Sequence, residues 1–103
     1  MPSATEVPPG EWSNTLVLYD DGEYSITSGV FRGRSHLGER WNGDTESPLG
    51  FPNVFGHSIW HVVPEFLEIP VLHGVLNKLA RNPQAGRADA VMQVLGQHYP
   101  QTP

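Results

Sequence analysis

The chain has 103 residues, a net charge of −5 and no cysteine. A chain of this length forms a single domain, and the absence of cysteine excludes disulfides, thiolate nucleophiles and sulfur-ligated zinc. Acidic residues concentrate in the first half, which disfavours nucleic acid because phosphates need a basic surface. No apolar run approaches the ~18 residues of a membrane span, and the N-terminus lacks the pattern of a signal peptide. We therefore expect a cytoplasmic protein without membrane contacts.

The composition also indicates a loop-rich chain, because it contains 11 glycines and 10 prolines. Three of the prolines fall in residues 1–10, where no hydrophobic period is present, and this segment predicts a disordered tail. We expect residues 11–103 to form one α+β domain, with the sheet in residues 11–63 and the helices in residues 64–100.

Period-two alternation of apolar and polar residues predicts the strands. The first two are joined through Asp21-Gly22, because Asp-Gly supplies the positive φ of a tight hairpin. Gly33 marks a second turn. The expected strands are Asn14–Tyr19, Tyr24–Phe31, His36–Trp41 and Ser58–Val63, and they form an antiparallel meander of about four strands.

The C-terminal part predicts two helices. Apolar residues at i, i+3, i+4 and i+7 from Leu72 form the buried stripe of the first. Asn82-Pro83 is typical of an N-cap followed by the first residue of a second helix. Two helices with a short connection form an antiparallel hairpin, which is expected to cover one face of the sheet. The expected bounds are Ile69 or Pro70 to Arg81 for the first helix, and Pro83 or Arg87 to Pro100 for the second.

Residues 43–57 predict a long loop rich in apolar residues, and such loops are often functional. The loop either seals the edge of the sheet or exposes an apolar patch. If the third and fourth strands pair, Arg40, Trp41 and Trp60 approach one another on the face without helices. An arginine over an indole is there either a structural contact or a site for carboxylates. The candidate residues for a ligand or partner are Arg40, Trp41, Phe51, Phe55, Trp60 and His61.

The histidines follow no recognisable catalytic order. His57, His61 and Glu65 have the spacing of metal ligands on a helix, but Pro64 breaks a helix there. On a strand the two histidines would lie about 13 Å apart, too far for one metal ion. We therefore predict no metal site and no cofactor, and we expect each imidazole to hydrogen-bond a neighbour on the sheet.

Four segments, LYDDGEYS, GERWNGD, GFPN and VVPEFLEIPVLHGVLNKL, resemble small hypothetical proteins carried on bacterial integron gene cassettes. The resemblance covers roughly residues 18–79. It implies a soluble bacterial protein with an accessory or adaptive role, and it transfers no activity and no site residue.

Two functions are compatible with these patterns. The first is a non-enzymatic binding module that uses the aromatic sheet face and the 43–57 loop. Its simplest partner is a second copy of the chain in a dimer, and a small molecule or another protein is the other choice. The second is a small hydrolase or metal-assisted enzyme, which requires two histidines and a carboxylate in one pocket. We favour the binding module, because its aromatic residues are typical of interaction hot spots.

Overall fold

The computed structural model describes residues 4–8 and 10–99 and shows the expected α+β fold. Short 3-10 turns span Ala4–Glu6, Glu65–Leu67 and Pro83–Ala85. The strands are β1 (Trp12–Asp20), β2 (Tyr24–Phe31), β3 (Arg34–Trp41), β4 (Asn53–Val54), β5 (His57–Ser58) and β6 (His61–Val62). The helices are α1 (Glu68–Arg81) and α2 (Ala88–Gly96). The predicted helix end at Pro100 lies outside the described residues.

The main sheet is antiparallel and has the strand order β1-β2-β3-β6. The predicted hairpin of β1 and β2 is confirmed, and Gly22 has the positive φ that its turn requires. Asp20 Oδ1 accepts a hydrogen bond from the Gly22 amide and fixes this turn. The β1 register shifts between Val17 and Tyr19, so that Leu18 and Tyr19 both reach the same core.

The fourth strand differs from the sequence-based expectation. Only His61–Val62 joins the main sheet, whereas His57–Ser58 pairs with Asn53–Val54 in a separate small hairpin. The strand is interrupted between these two pieces, because the Ile59 amide donates its hydrogen bond to the Pro52 carbonyl and not to a neighbouring strand. The predicted loop therefore contains a β-hairpin of its own.

Both helices pack on one face of the sheet. The main core joins Leu18, Ile26 and Leu37 from the strands to the apolar stripes of α1 and α2. Gly86 lies against β1 so closely that a Cβ there would be 2.1 Å from the Leu18 carbonyl oxygen. A glycine at this position lets the backbone that leads into α2 dock on the sheet edge. None of the helices within residues 4–8 and 10–99 has the length and apolarity to cross a membrane.

A second, smaller core lies on the opposite face of the sheet. Trp12 crosses this face above Gly29 and Gly38, which leave room for the indole because they lack a Cβ. Ala4 and Val7 cover Trp12 and Trp60 from outside, with all four residues buried. Residues 4–7 are thus packed, whereas the sequence predicts a disordered tail there, because this sheet face needs an apolar cover. The parts of that predicted tail at residues 1–3 and 9 lie outside the described residues.

Candidate functional site

The helices leave both ends of their own sheet face uncovered, and the two ends differ in chemistry. At one end, Trp41 follows Leu37 and Glu39 at even spacing along β3, so its side chain points to the helix side. At the other end, Leu16 and Ser35 are exposed beside α2. The sequence-based expectation groups Trp41 with Arg40 and Trp60 on the face without helices, whereas the structure places Trp41 on the helix side.

We call the first region the aromatic end. It consists of a row of three rings across the sheet, Tyr24, Trp41 and Phe51, with Glu39 and His61 beside them. Tyr24 pairs with Trp41 across β2 and β3, and Trp41 pairs with Phe51 through two backbone hydrogen bonds. The Tyr24 and Trp41 rings meet edge to face with centroids 4.9 Å apart. Trp41 and Phe51 remain 56% and 66% exposed.

Two open cavities are lined by both Trp41 and Phe51. One, of about 650 Å³, contains Phe51 and the acidic side chains of Glu23 and Asp44 in its lining. The other, of about 230 Å³, lies between Trp41, Phe51 and His61. The Tyr24 hydroxyl donates a hydrogen bond to Glu39 Oε1. Burial is the main cause that raises the pKa of this phenol, and the hydrogen bond and negative charge of Glu39 raise it further. The tyrosine therefore stays a neutral donor at this end.

Arg40 does not belong to this surface, although the sequence suggested it. Its side chain points to the opposite face and is only 1% exposed. Its guanidinium donates through Nη1 to the carbonyl oxygens of Ile59 (2.5 Å) and Pro52 (3.2 Å), and through Nη2 to that of Leu49. Burial lowers the pKa of the guanidinium. Arg40 is therefore a tie that holds residues 49–59 against the sheet.

The other predicted site residues divide in the same way. Trp60 is buried in the second core and cannot contact a partner. Phe55 lies at the tip of the β4–β5 hairpin with a positive φ and is 96% exposed. His61 is exposed at the aromatic end, with Nδ1 3.5 Å from Glu39 Oε2. Trp41, Phe51, Phe55 and His61 thus remain surface candidates.

We call the second region the polar cleft. It is a cavity of about 650 Å³ between the outer ends of β1, β2 and β3 and the helix α2. Its sheet side carries Leu16, Ser28, Val30 and Ser35, which would face the core if a helix covered them. Its helix side carries the amides of Gln93 and Gln97 and the side chains of Glu65, Glu68 and His98. His36 closes the cleft near Glu68.

A contact between buried Glu68 and half-buried His98 forms the innermost part of the polar cleft. His98 Nε2 lies 2.6 Å from Glu68 Oε1, and His98 Nδ1 lies 2.9 Å from the Val94 carbonyl oxygen. Because both ring nitrogens face oxygen atoms, a protonated imidazole can donate a hydrogen bond to each of them. The hydrogen bond to Glu68 is the main cause that raises the pKa of His98.

The polar cleft contains atoms without partners. Three buried side-chain nitrogen or oxygen atoms in the described chain lack a hydrogen bond, and two of them are Glu68 Oε2 and His36 Nδ1. These two atoms lie 3.9 Å apart, too far for a hydrogen bond between them. Unpaired buried polar atoms are costly, so their coincidence in one cavity is informative.

The polar cleft was not predicted, although the sequence holds a signal for it. Glu68 precedes Leu72 by four residues and therefore falls on the apolar stripe of α1. His98 follows Leu95 by three residues and continues the apolar stripe of α2 just beyond the end of that helix. A carboxylate and an imidazole on the buried stripes of two adjacent helices indicate a buried pair.

Within residues 4–8 and 10–99, no group of three or more His, Asp or Glu side chains is arranged to hold a metal ion. No protein-family model, curated protein or solved structure matches this chain. The resemblance to integron-cassette proteins therefore stays a prediction.

Proposed function

We propose that this chain is a non-enzymatic binding module that associates with a second copy of itself through the aromatic end. The observation that carries this proposal is the exposure of two large rings that lie side by side on paired backbone segments. Trp41 and Phe51 are 56% and 66% exposed. Aromatic residues of this size dominate the energetics of protein interfaces when a partner buries them.

The rings are held in place before any partner arrives. Backbone hydrogen bonds join Trp41 to Phe51, and buried Arg40 holds the segment that carries Phe51. A preorganised surface loses little conformational freedom on binding, which favours affinity. The aromatic end therefore differs from a flexible loop, in which apolar residues are exposed only transiently.

A second copy suits this surface because an isologous interface needs one patch that is complementary to itself. Aromatic rings pack against aromatic rings in offset or edge-to-face geometry. The polar groups among the rings are already paired within the chain, since Glu39 contacts both Tyr24 and His61. The surface therefore demands no opposite charge from its partner.

Size-exclusion chromatography with light scattering tests this proposal. We expect the wild-type chain to be a dimer, and Trp41→Ser or Phe51→Ser to shift it to the monomer at the same concentration. Phe66→Ser is the matched control, because Phe66 is 80% exposed but lies outside the aromatic end. Its dimer should persist. A wild-type monomer at high micromolar concentration, or a dimer that survives both substitutions, would contradict self-association.

One observation favours the enzymatic alternative. Two imidazoles and a carboxylate, those of His36, His98 and Glu68, converge in the polar cleft. This is the arrangement that acid–base hydrolysis requires, and the sequence did not locate it. A hydrolase should cleave simple nitrophenyl esters at a rate that His36→Gln lowers and His57→Gln, a substitution of an exposed histidine elsewhere, leaves unchanged.

A further inference from the structure

The polar cleft has the features of a ligand site that is independent of the aromatic end. Its volume of about 650 Å³ falls in the range of small-molecule pockets, roughly 300–1,000 Å³. Glu68 is 4% exposed and keeps Oε2 unpaired, although Oε1 accepts a 2.6 Å hydrogen bond from His98. A carboxylate that is half satisfied in a cavity indicates a missing donor.

The missing group must satisfy two atoms at once. Glu68 Oε2 accepts only, while His36 Nδ1 donates when it carries the proton. An oxygen about 2.8 Å from each atom spans their 3.9 Å separation. A hydroxyl meets both needs, since its proton goes to Glu68 and its lone pair accepts from His36.

The cleft is lined by charges of both signs, Glu65 and Glu68 against Arg34 and His98, so an ionised ligand of either sign meets a like charge as well as an opposite one. A carboxylate or phosphate would approach the carboxylates of Glu65 and Glu68. An ammonium would approach the cationic ring of His98 and the guanidinium of Arg34, which also lines the cleft. An uncharged ligand avoids both repulsions.

The remaining lining fits a ligand with several hydroxyl groups. Asparagine, glutamine and serine side chains both donate and accept, which suits hydroxyls that do the same. Apolar groups between them offer contacts to the C–H faces of a small ring. The polar members are Asn14, Ser28, Ser35, Gln93 and Gln97, and the apolar ones are Leu16, Val30 and Val94.

We propose that the polar cleft binds a small uncharged polyhydroxylated molecule, a monosaccharide or polyol, with one hydroxyl placed between Glu68 Oε2 and His36 Nδ1. This site does not include Trp41 or Phe51, so the test of ligand binding is independent of the test of self-association.

Saturation-transfer NMR on the intact chain tests the proposal with a panel of glucose, galactose, mannose, ribose, inositol and glycerol. We expect at least one member to bind with a Kd in the millimolar range. The amino and uronic acid derivatives of that member should bind at least about tenfold more weakly. No binding by any panel member, or tighter binding of a charged derivative, would overturn the proposal.

Substitutions then locate the binding. His36→Gln and Glu68→Gln should each weaken it about tenfold, whereas His57→Gln on the small hairpin should leave it unchanged. Because Glu68 is buried and its substitution can impair folding, half-buried His36 gives the second, independent readout. Binding of the same sugar with unchanged affinity in His36→Gln would refute this location.

Discussion

The aromatic end and the polar cleft occupy opposite ends of one sheet face, yet they are built in opposite ways. The aromatic end exposes rings whose polar neighbours are already paired, as Glu39 is with Tyr24 and His61. The polar cleft buries ionisable groups and leaves two of their atoms unpaired. Recognition at the first depends on apolar area, and at the second on hydrogen bonds that the chain alone does not complete.

They also differ in how the chain assembles them. The rings Trp41 and Phe51 are ten residues apart and joined by a local bridge. His36, Glu68 and His98 come from β3, the start of α1 and the residues after α2, so the polar cleft exists only when the whole fold is complete. A substitution that disturbs the packing of the helices on the sheet should therefore affect the polar cleft more than the aromatic end.

Arg40→Met should give the largest effect and should fall on the aromatic end. It removes a donor from the carbonyl oxygens of Leu49, Pro52 and Ile59, at a cost of about 3 kcal/mol in the free energy of unfolding. Leu49 and Pro52 keep a second donor, the Ser58 hydroxyl and the Ile59 amide respectively. Urea denaturation measures this loss. Self-association should weaken with it, because Arg40 holds the segment that carries Phe51.

Arg40→Lys is the matched control, since it keeps the charge but lacks the planar fork that reaches several carbonyl groups. We expect a smaller loss than for methionine. Where the folded population of Arg40→Met is still high, sugar binding in the polar cleft should persist. If the free energy of unfolding of Arg40→Met lay within about 1 kcal/mol of the wild-type value, the hydrogen bonds of Arg40 to residues 49–59 would be unimportant for stability.

His98→Gln should have a moderate effect that depends on pH. Folding raises the pKa of His98 above its usual 6.5, so the folded state favours the protonated ring. The resulting stabilisation is complete below pH 6.5 and is lost as pH rises through the folded pKa. We expect His98→Gln to cost about 1–2 kcal/mol near pH 5.5 and less at pH 9.

Denaturation curves of His98→Gln and wild type at several pH values measure this difference. His57→Gln serves as control, because His57 is exposed on the small hairpin and no such pH-dependent difference is expected. A destabilisation by His98→Gln that grows as pH rises would contradict the assignment of a cationic ring.

Salt should have the smallest effect, and only on the aromatic end. Glu23 and Asp44 line the cavity beside Trp41, so a twofold interface brings like charges near each other. Raising NaCl from low to high concentration should screen this repulsion and strengthen the dimer by about threefold. Sedimentation equilibrium measures it. A dimer that weakens with salt would indicate attraction between opposite charges instead.

The sequence predicted those parts of the fold that local pattern specifies. The β1–β2 hairpin follows from alternation and the Asp21-Gly22 turn, and α1 follows from its apolar stripe. The α2 start differs modestly, because a 3-10 turn at Pro83–Ala85 precedes it. These features depend on neighbours in sequence, and that is why the pattern identified them.

The sequence failed where a distant contact decides the outcome. The apolar run at residues 58–63 suits a strand, but Arg40 and Pro52 bind its backbone and divide it. Alternation placed Arg40 on the face opposite the helices, as observed, but could not show that a loop buries it. The sequence predicts a surface position for Trp60, because the contacts of Ala4 and Val7 that bury it have no local sequence pattern.

The unequal exposure of the three tryptophans has a spectroscopic consequence. Trp12 and Trp60 are 7% and 6% exposed, whereas Trp41 is 56% exposed. Collisional quenchers such as iodide should reach one indole and spare the other two. The native emission therefore contains a built-in reporter for whatever covers β3, together with two internal references that respond only when the fold itself opens.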